Sequence, residues 1–516
     1  MKRSVMGLTF VLGLLWSGWV SAAPPALVKD ADTKAWWATI GTLAGDDMEG
    51  RDTGSAAYAR AAKIVAARFA AADLTPASGG DWFQTLTLRE ARVETDGTSM
   101  KVVRDGAQPI DFKFLHEISV RATFDLPAEI DAAMSFRGYC SPQDMDATVL
   151  GKVLVCFGNR HPGLPRAAQR IKTAADAGAA GLVVVDDPGF TEEPARWPAA
   201  YARLIAPADA PPVAAPTLAV FSLSSPAFIK MLAGTGFDAA AILSSGSTKA
   251  GLPKFDLPGR FHAVLRQSRA NLTSDNILGM LPGTDPVLKD EVVVVSAHLD
   301  GYGYGEPVGG DSLYNGAFDD AAYVSTLIQL AEQRHGRGFK RSVLFAVFTG
   351  EEKGLLGSAW FVRHPTVEKS KLVANINLDM VRPIFPLDAL TMLGVDDTSL
   401  GRTASAVGKA MKIEIRPDHE TDRGLMQRAD HWSFLQAGVP ATSFLFAYDP
   451  GTEAERRFRE WYNIRYHRPQ DDMSQPIDFQ AAAKFNQFFY RLTAAVADST
   501  IRPSILPTSS LKAAAP

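Results

Sequence analysis

Apolar residues recur along this chain with two spacings, and the change between them divides it into regions. Residues 33–74 carry a helical spacing, and within residues 56–69 (AAYARAAKIVAARF) the apolar groups share one face while Arg and Lys take the other. Residues 82–93 alternate in part and predict a strand. From Arg121 on the runs shorten. Residues 151–157 (GKVLVCF), 180–185 (AGLVVV) and 216–221 (PTLAVF) read as strands, with a helix over residues 167–177 (AAQRIKTAADA) closed by Gly178. Loops rich in proline (Pro188, Pro194, Pro198, Pro207, Pro211, Pro212 and Pro216) separate them, and this texture predicts a small α+β module inserted into the chain. From Asn276 the pattern becomes NILGML, VVVVSAH, SVLFAVFTG and KLVANINLDM, with helix-like stretches between, such as residues 320–334. Near-continuous apolar strands alternating with helices predict an α/β fold, a mixed and mainly parallel sheet covered on both faces.

The N-terminus adds a compartment. Lys2 and Arg3 precede an apolar run over residues 5–20, broken by Thr9 and Ser17, and Val20-Ser21-Ala22 offers the small residues of a cleavage site. This predicts a signal peptide over residues 1–22 and an exported protein, periplasmic or extracellular, with no stable membrane insertion after its removal. The roughly 490 residues that follow exceed what one core usually serves. The expected division is an N-terminal part of the main domain over 23–120, the inserted module over 121–255, the main domain over 256–501 and a flexible tail over 502–516. A formal charge of −4 with no concentrated basic stripe argues against nucleic acid as a partner. Cys140 and Cys156 can pair in an oxidising compartment or remain as buried thiols, and neither has a Cys or His at ligand spacing.

Ligands in such a sheet gather beyond the carboxyl ends of the strands, and several segments put chemistry there. The run 292–300 (VVVVSAHLD) delivers His298, a candidate metal ligand, with Asp300 two residues on to accept its other N–H. An ordinary polar strand end is the alternative. Asp319 and Asp320, in YNGAFDDAA, either cap a helix or offer a carboxylate that bridges two cations. Glu351 and Glu352, in FTGEEKGLLGS, form a solvated turn or divide metal binding and proton handling between them. Asp379 ends NINLDM, and His467 lies in the loop YHRPQD. Together these give mixed nitrogen and oxygen donors without sulfur, a set that suits zinc, and too many for one tetrahedral ion. A shared carboxylate fits them to a pair of ions about 3.5–4 Å apart, able to activate water and stabilise an oxyanion.

In this order, His-Leu-Asp, Gly-Ala-x-Asp, Gly-Glu-Glu, Asn-Leu-Asp-Met and the late Tyr-His resemble the co-catalytic zinc peptidases of peptidase family M28, which include secreted bacterial aminopeptidases, glutamate carboxypeptidases and the transferrin receptor. Residues 46–62 (DDMEGRDTGSAAYARAA) resemble that family's N-terminal segment. The resemblance implies the zinc-peptidase fold and two Zn2+ per chain: Asp319 bridging, Glu352 and His467 completing one shell, His298 and Asp379 the other. It implies Glu351 as general base toward a metal-bridging water, Asp300 behind the ligands, and a cis peptide after Asp319. The inserted module resembles a protease-associated domain through residues 151–155 and 177–184 (AGAAGLVV), and Cys140 and Cys156 fall inside it. Two departures stand out. Tyr323 occupies a position where the family has Gly, and Ala429-Asp430-His431 replaces Ser-Asp-His, with Asp430 and His431 read either as neighbours of the substrate site or as a structural helix start. The remaining histidines, His116, His161, His262, His335, His364 and His419, match no motif.

What the resemblance implies, then, is an exported aminopeptidase acting on peptides. A carboxypeptidase or dipeptidase on the same scaffold would need a basic pocket for a terminal carboxylate, for which Arg428 and Arg465 are the candidates. A glutaminyl cyclase would use one zinc where both ligand sets are present here, and a receptor-like member would not keep the full set with Glu351. Oligomeric state and residue preference are not legible.

Overall fold

The structure, a computed structural model, describes residues 30–210, 218–379, 381–509 and 511. The expected signal peptide and Pro211, Pro212 and Pro216 lie outside the described residues. A ten-stranded sheet forms the main body. Its centre is parallel: Ala441–Phe446, Leu372–Asn377, Val292–His298 and Ser342–Phe348 run side by side. Antiparallel strands flank it, with Gln267–Leu281, Phe83–Val93 and Ala202–Pro207 on one side and Ala389–Leu393 on the other. Alternation explains why the central runs are apolar throughout. Val293, Val295 and Ala297 face one core while Val292 and Val294 face another, and Val343, Phe345 and Val347 likewise oppose Leu344, Ala346 and Phe348. The helices Ala31–Leu43, Ala56–Ala71, Ala322–Arg334 and Phe479–Ala497 contribute to the first core, and Leu356–Arg363 and His431–Gln436 to the second.

An eight-stranded sheet with its own core makes up the second unit. Glu129–Arg137, Val153–Phe157, Gly181–Val185 and Val220–Leu223 are parallel at its centre. Its limits differ from the expected 121–255. Ser99–Val103, Ile110–Phe112 and Ile118–Val120 join this sheet from upstream, and Lys254–Val264 joins from downstream, whereas Ala202–Pro207 leaves it for the main sheet. Composition marks where strands are short and not which neighbour they pair with. Cys140 and Cys156 form a disulfide with a Cα–Cα distance of 5.7 Å.

Two other expectations change. Residues 502–509 are tied down rather than loose: Arg502 bonds Glu291 at 2.9 Å, and Leu506 N donates to Asp397 O at 2.8 Å. The helical region 33–74 is two helices, Ala31–Leu43 and Ala56–Ala71, because residues between them are claimed by a tertiary contact. Arg51, fully buried and at a φ of 49°, donates from Nε to Leu299 O at 2.7 Å, from Nη1 to Leu43 O at 2.7 Å and Asn315 O at 2.8 Å, and from Nη2 to Gly316 O at 2.8 Å. Beside it, Gly50 has a φ of 63°, and a Cβ there would run into the Tyr314 carbonyl oxygen. Arg51 thus clamps the loop after His298 to the loop before Asp319. A lysine cannot reach this set of carbonyls with one ammonium, so Arg51→Lys is expected to lower unfolding free energy by about 2–4 kcal/mol, measured by urea denaturation.

Candidate metal centre

Three neighbouring parallel strands end at one place. His298 closes Val292–His298, Glu351 and Glu352 follow Ser342–Phe348, and Asp379 follows Leu372–Asn377. Asp319 and Asp320 come in from the turn before Ala322–Arg334, and His467 from the loop after Glu453–Ile464. His298, Glu351 and Asp379 form one group with donor atoms within 4.8 Å of one another, and Asp319, Glu352 and His467 form a second within the same limit. Among the described residues these are the groups of three or more such side chains, and the other histidines belong to neither. His116, for example, pairs with Glu306 at 2.7 Å.

The two groups meet at Asp319. Its Oδ1 lies 3.2 Å from His298 Nε2, and its Oδ2 lies 3.5 Å from His467 Nε2. Glu352 stands 3.3 Å from His467 Nε2; Glu351 and Asp379 stand 3.8 and 4.0 Å from His298 Nε2. Glu351, expected as a base only, therefore sits beside the first group's donors rather than outside them.

Several of the donors are held from behind. His298 Nδ1 is 3.0 Å from the main-chain oxygen of Asp300, which can only accept, so Nδ1 carries a proton and Nε2 faces the carboxylates. Asp300 was expected to accept this N–H, and its carboxylate lies farther off, at 3.8 Å. It instead accepts from Glu351 N and Thr53 Oγ1, each at 3.0 Å. Asp320 accepts from His298 N at 3.0 Å, and Tyr302 Oη meets His467 Nδ1 at 2.8 Å. Asp471 accepts from Phe318 N and Asp319 N, both at 3.0 Å, around a cis Asp319–Asp320 peptide bond. Tyr323 fits where the family resemblance placed glycine: its hydroxyl donates to Val381 O at 2.6 Å and ties the helix to the turn after Asp379.

Electrostatics test whether cations belong here. His298 Nε2 is buried without a hydrogen-bond partner, and three carboxylates converge on it. Burial opposes its protonation, yet Glu351, Asp320, Asp319 and Asp379 outweigh that and hold the imidazole well above its ordinary value. Burial pushes Glu351 and Glu352 well up, Asp379 up to about 6 and Asp471 up to about 7, while His467 is held down at about 4 and stays neutral. Carboxylates in excess, the unpartnered Nε2 of His298 among them and the neutral imidazole of His467 suit divalent zinc.

The cavity before these groups, about 240 Å3, is lined by Gln427, Arg428 and Tyr466 as well as the candidate ligands. Asp430 and His431 are not among its lining. Both are buried at the start of His431–Gln436, where burial holds His431 down at about 3. Arg465 is also turned away, its Nη2 donating to Ser474 O at 3.1 Å. Sequence reasoning missed Arg51, Tyr302 and Arg382, a buried guanidinium 3.5 Å from Asp319 Oδ2 that donates to Asp379 O at 2.8 Å. None carries a motif, though Arg51 lies within the N-terminal segment whose resemblance was noted.

Fold and site define an α/β protein with two nitrogen–oxygen donor groups sharing a carboxylate at the ends of its parallel strands. Residues 276–493 match the family model described as Peptidase family M28. Aminopeptidase YwaD of Bacillus subtilis is 28% identical over 205 residues, covering 39% of this chain and 40% of that protein. A probable leucine aminopeptidase 2 of Aspergillus oryzae is 26% identical over 219 residues, 40% of this chain and 41% of that one. The matched part thus spans about two fifths of these relatives' length. The fold is that of an aminopeptidase from Aneurinibacillus sp. strain AM-1 (TM-score 0.60, 17% identity, 92% of this chain and 96% of that one) and of BSAP, a zinc aminopeptidase from Bacillus subtilis (TM-score 0.58, 18% identity, 91% and 96%).

Removing a group that holds Asp319 without touching the donors should weaken the site. Asp471→Ala is expected to lower zinc affinity about 10–100-fold, read by competition with a chromophoric chelator.

Proposed function

We propose that this chain is an exported di-zinc aminopeptidase that releases the N-terminal residue of peptides. The observation that carries the reading is the split of the Asp319 carboxylate between His298, at 3.2 Å, and His467, at 3.5 Å. His298, Asp379 and one oxygen of Asp319 would hold one zinc, and Glu352, His467 and the other oxygen the second. Bound there, the pair supplies Lewis acidity toward the scissile carbonyl and a water made acidic enough to attack at neutral pH.

Glu351 is the general base. Its carboxyl, pushed up by burial and by its acidic neighbours, takes a proton from the attacking water and returns it to the leaving amine. Asp300 accepts the Glu351 N–H and keeps that carboxylate at the strand end, and Tyr302 orients His467. The second sheet is read as an inserted protease-associated module beside the site, and its Cys140–Cys156 disulfide agrees with an oxidising compartment. No helix among the described residues is long and apolar enough to cross a membrane.

Mass spectrometry of mixed peptides, with and without a chelator, tests the reading. Stepwise loss from free N-termini, absent on N-acetylated peptides and abolished by chelation, is expected. Loss from C-termini instead would replace it with the carboxypeptidase reading. Glu351→Gln is expected to retain zinc and lose at least about 100-fold in kcat, the usual scale of a general base; near-full activity in that variant contradicts the role.

A further inference from the structure

The cavity before the donor groups has one fixed cation. Among the described residues that line it, Arg428 is the only Arg or Lys, and the same residue also lines an adjoining cleft of about 580 Å3. That cleft runs between the second sheet and the main body, with Arg160 and Arg166 on one wall and Arg423 on the other. We propose that Arg428 anchors the C-terminal carboxylate of short peptides, so that the substrates are di- and tripeptides with a free C-terminus. This inference rests on the aminopeptidase reading and narrows its substrate class.

Three observations support it. The first is charge. Glu193, almost fully buried, accepts through Oε2 from both Arg428 and Arg160, the latter at 3.1 Å. Burial pushes Glu193 up, but Arg428, Arg423 and Arg160 outweigh it and hold the carboxyl down at about 2. Two guanidinium groups share the Glu193 carboxylate, so Glu193 alone does not neutralise both.

The second is orientation. Arg428 Nη2 donates to Tyr466 Oη at 2.8 Å, so the guanidinium is fixed beside the residue that precedes His467 while its side chain keeps 29% exposure. A planar, preorganised fork of N–H groups is the side chain suited to a carboxylate.

The third is reach. At about 3.3–3.6 Å per extended residue, a cavity this small spans roughly two residues, so a group sharing it with Glu351 and Asp379 meets the chain one or two residues beyond the scissile bond. In a dipeptide or tripeptide that point is the terminal carboxylate. Arg465, the other basic candidate, has its guanidinium committed to Gln470 and Ser474.

The test compares release of the N-terminal residue from Leu-Ala, Leu-Ala-Ala and a Leu-initiated nonapeptide, each as free acid and as C-terminal amide, by wild type and Arg428→Gln with zinc content matched. In the wild type, amidation is expected to lower kcat/KM at least tenfold for the two short peptides and less than twofold for the nonapeptide. In Arg428→Gln, acid and amide should fall within about threefold of each other. This acid-to-amide ratio cancels any general loss from disturbing Glu193. Equal rates on short acids and amides in the wild type overturn the proposal, as does an undiminished preference in Arg428→Gln. A dipeptide amide with acidic second residue, Leu-Glu-amide, separates terminal from side-chain carboxylate; if it outpaces Leu-Ala, the anchor reads acidic side chains and the proposal is overturned. Absence of N-terminal release from every peptide, the nonapeptide included, would instead remove the aminopeptidase reading on which the inference stands.

Discussion

Acidic side chains crowded into a site from which water is largely excluded repel one another, and burial alone already disfavours their charged forms. Asp319 sits at the centre of such a crowd, with Asp320, Glu351, Glu352, Asp379 and Asp471 around it, all but Glu352 among the buried residues. It nonetheless stays ionised, held well below the usual carboxylate range against burial by His298, His467 and Arg382. A protonated His298 beside one of its oxygens and Arg382, 3.5 Å from the other, let the remaining acids share the space. Placing that one carboxylate between two imidazoles is the constraint the surrounding structure answers to.

Much of the architecture follows from it. Asp471 holds the main chain on either side of Phe318, Arg51 fixes the preceding loop through the Gly316 carbonyl, and Arg382 ties Phe318 O, at 3.2 Å, to the turn after Asp379. The parallel strands deliver His298, Glu351 and Asp379 to neighbouring carboxyl ends. The N-terminal segment matters less for its own packing than for carrying Arg51 and Thr53 to the back of the site.

Four of the donors are legible because each follows an apolar run, His298 after four valines, Glu351 and Glu352 after SVLFAVF and Asp379 after NINL, whereas Asp319 and His467 lie in a turn and a loop. What lay behind them was hidden. Arg51 reaches Leu299 O, Asp471 reaches Phe318 N and Arg382 reaches Phe318 O, all distant in the chain, so no local pattern marks these contacts. Spacing placed Asp300 near His298 but does not say which of its oxygens accepts, and in the structure it is the main-chain one. Asp430 and His431, read either as neighbours of the substrate site or as a structural helix start, do not line the cavity, whereas Gln427 and Arg428 do. The second sheet was found by its texture but misbounded, since Ser99–Val103 and Lys254–Val264 pair across a separation that composition does not report.

The central claim is that Asp319 lies between two bound zinc ions. Anomalous diffraction at the zinc edge from crystals of the zinc-loaded protein tests it directly. Two peaks about 3.5–4 Å apart, one toward His298 and Asp379 and the other toward Glu352 and His467, with an oxygen of Asp319 on each, are predicted. A single peak, or two peaks of which only one contacts Asp319, would contradict the account.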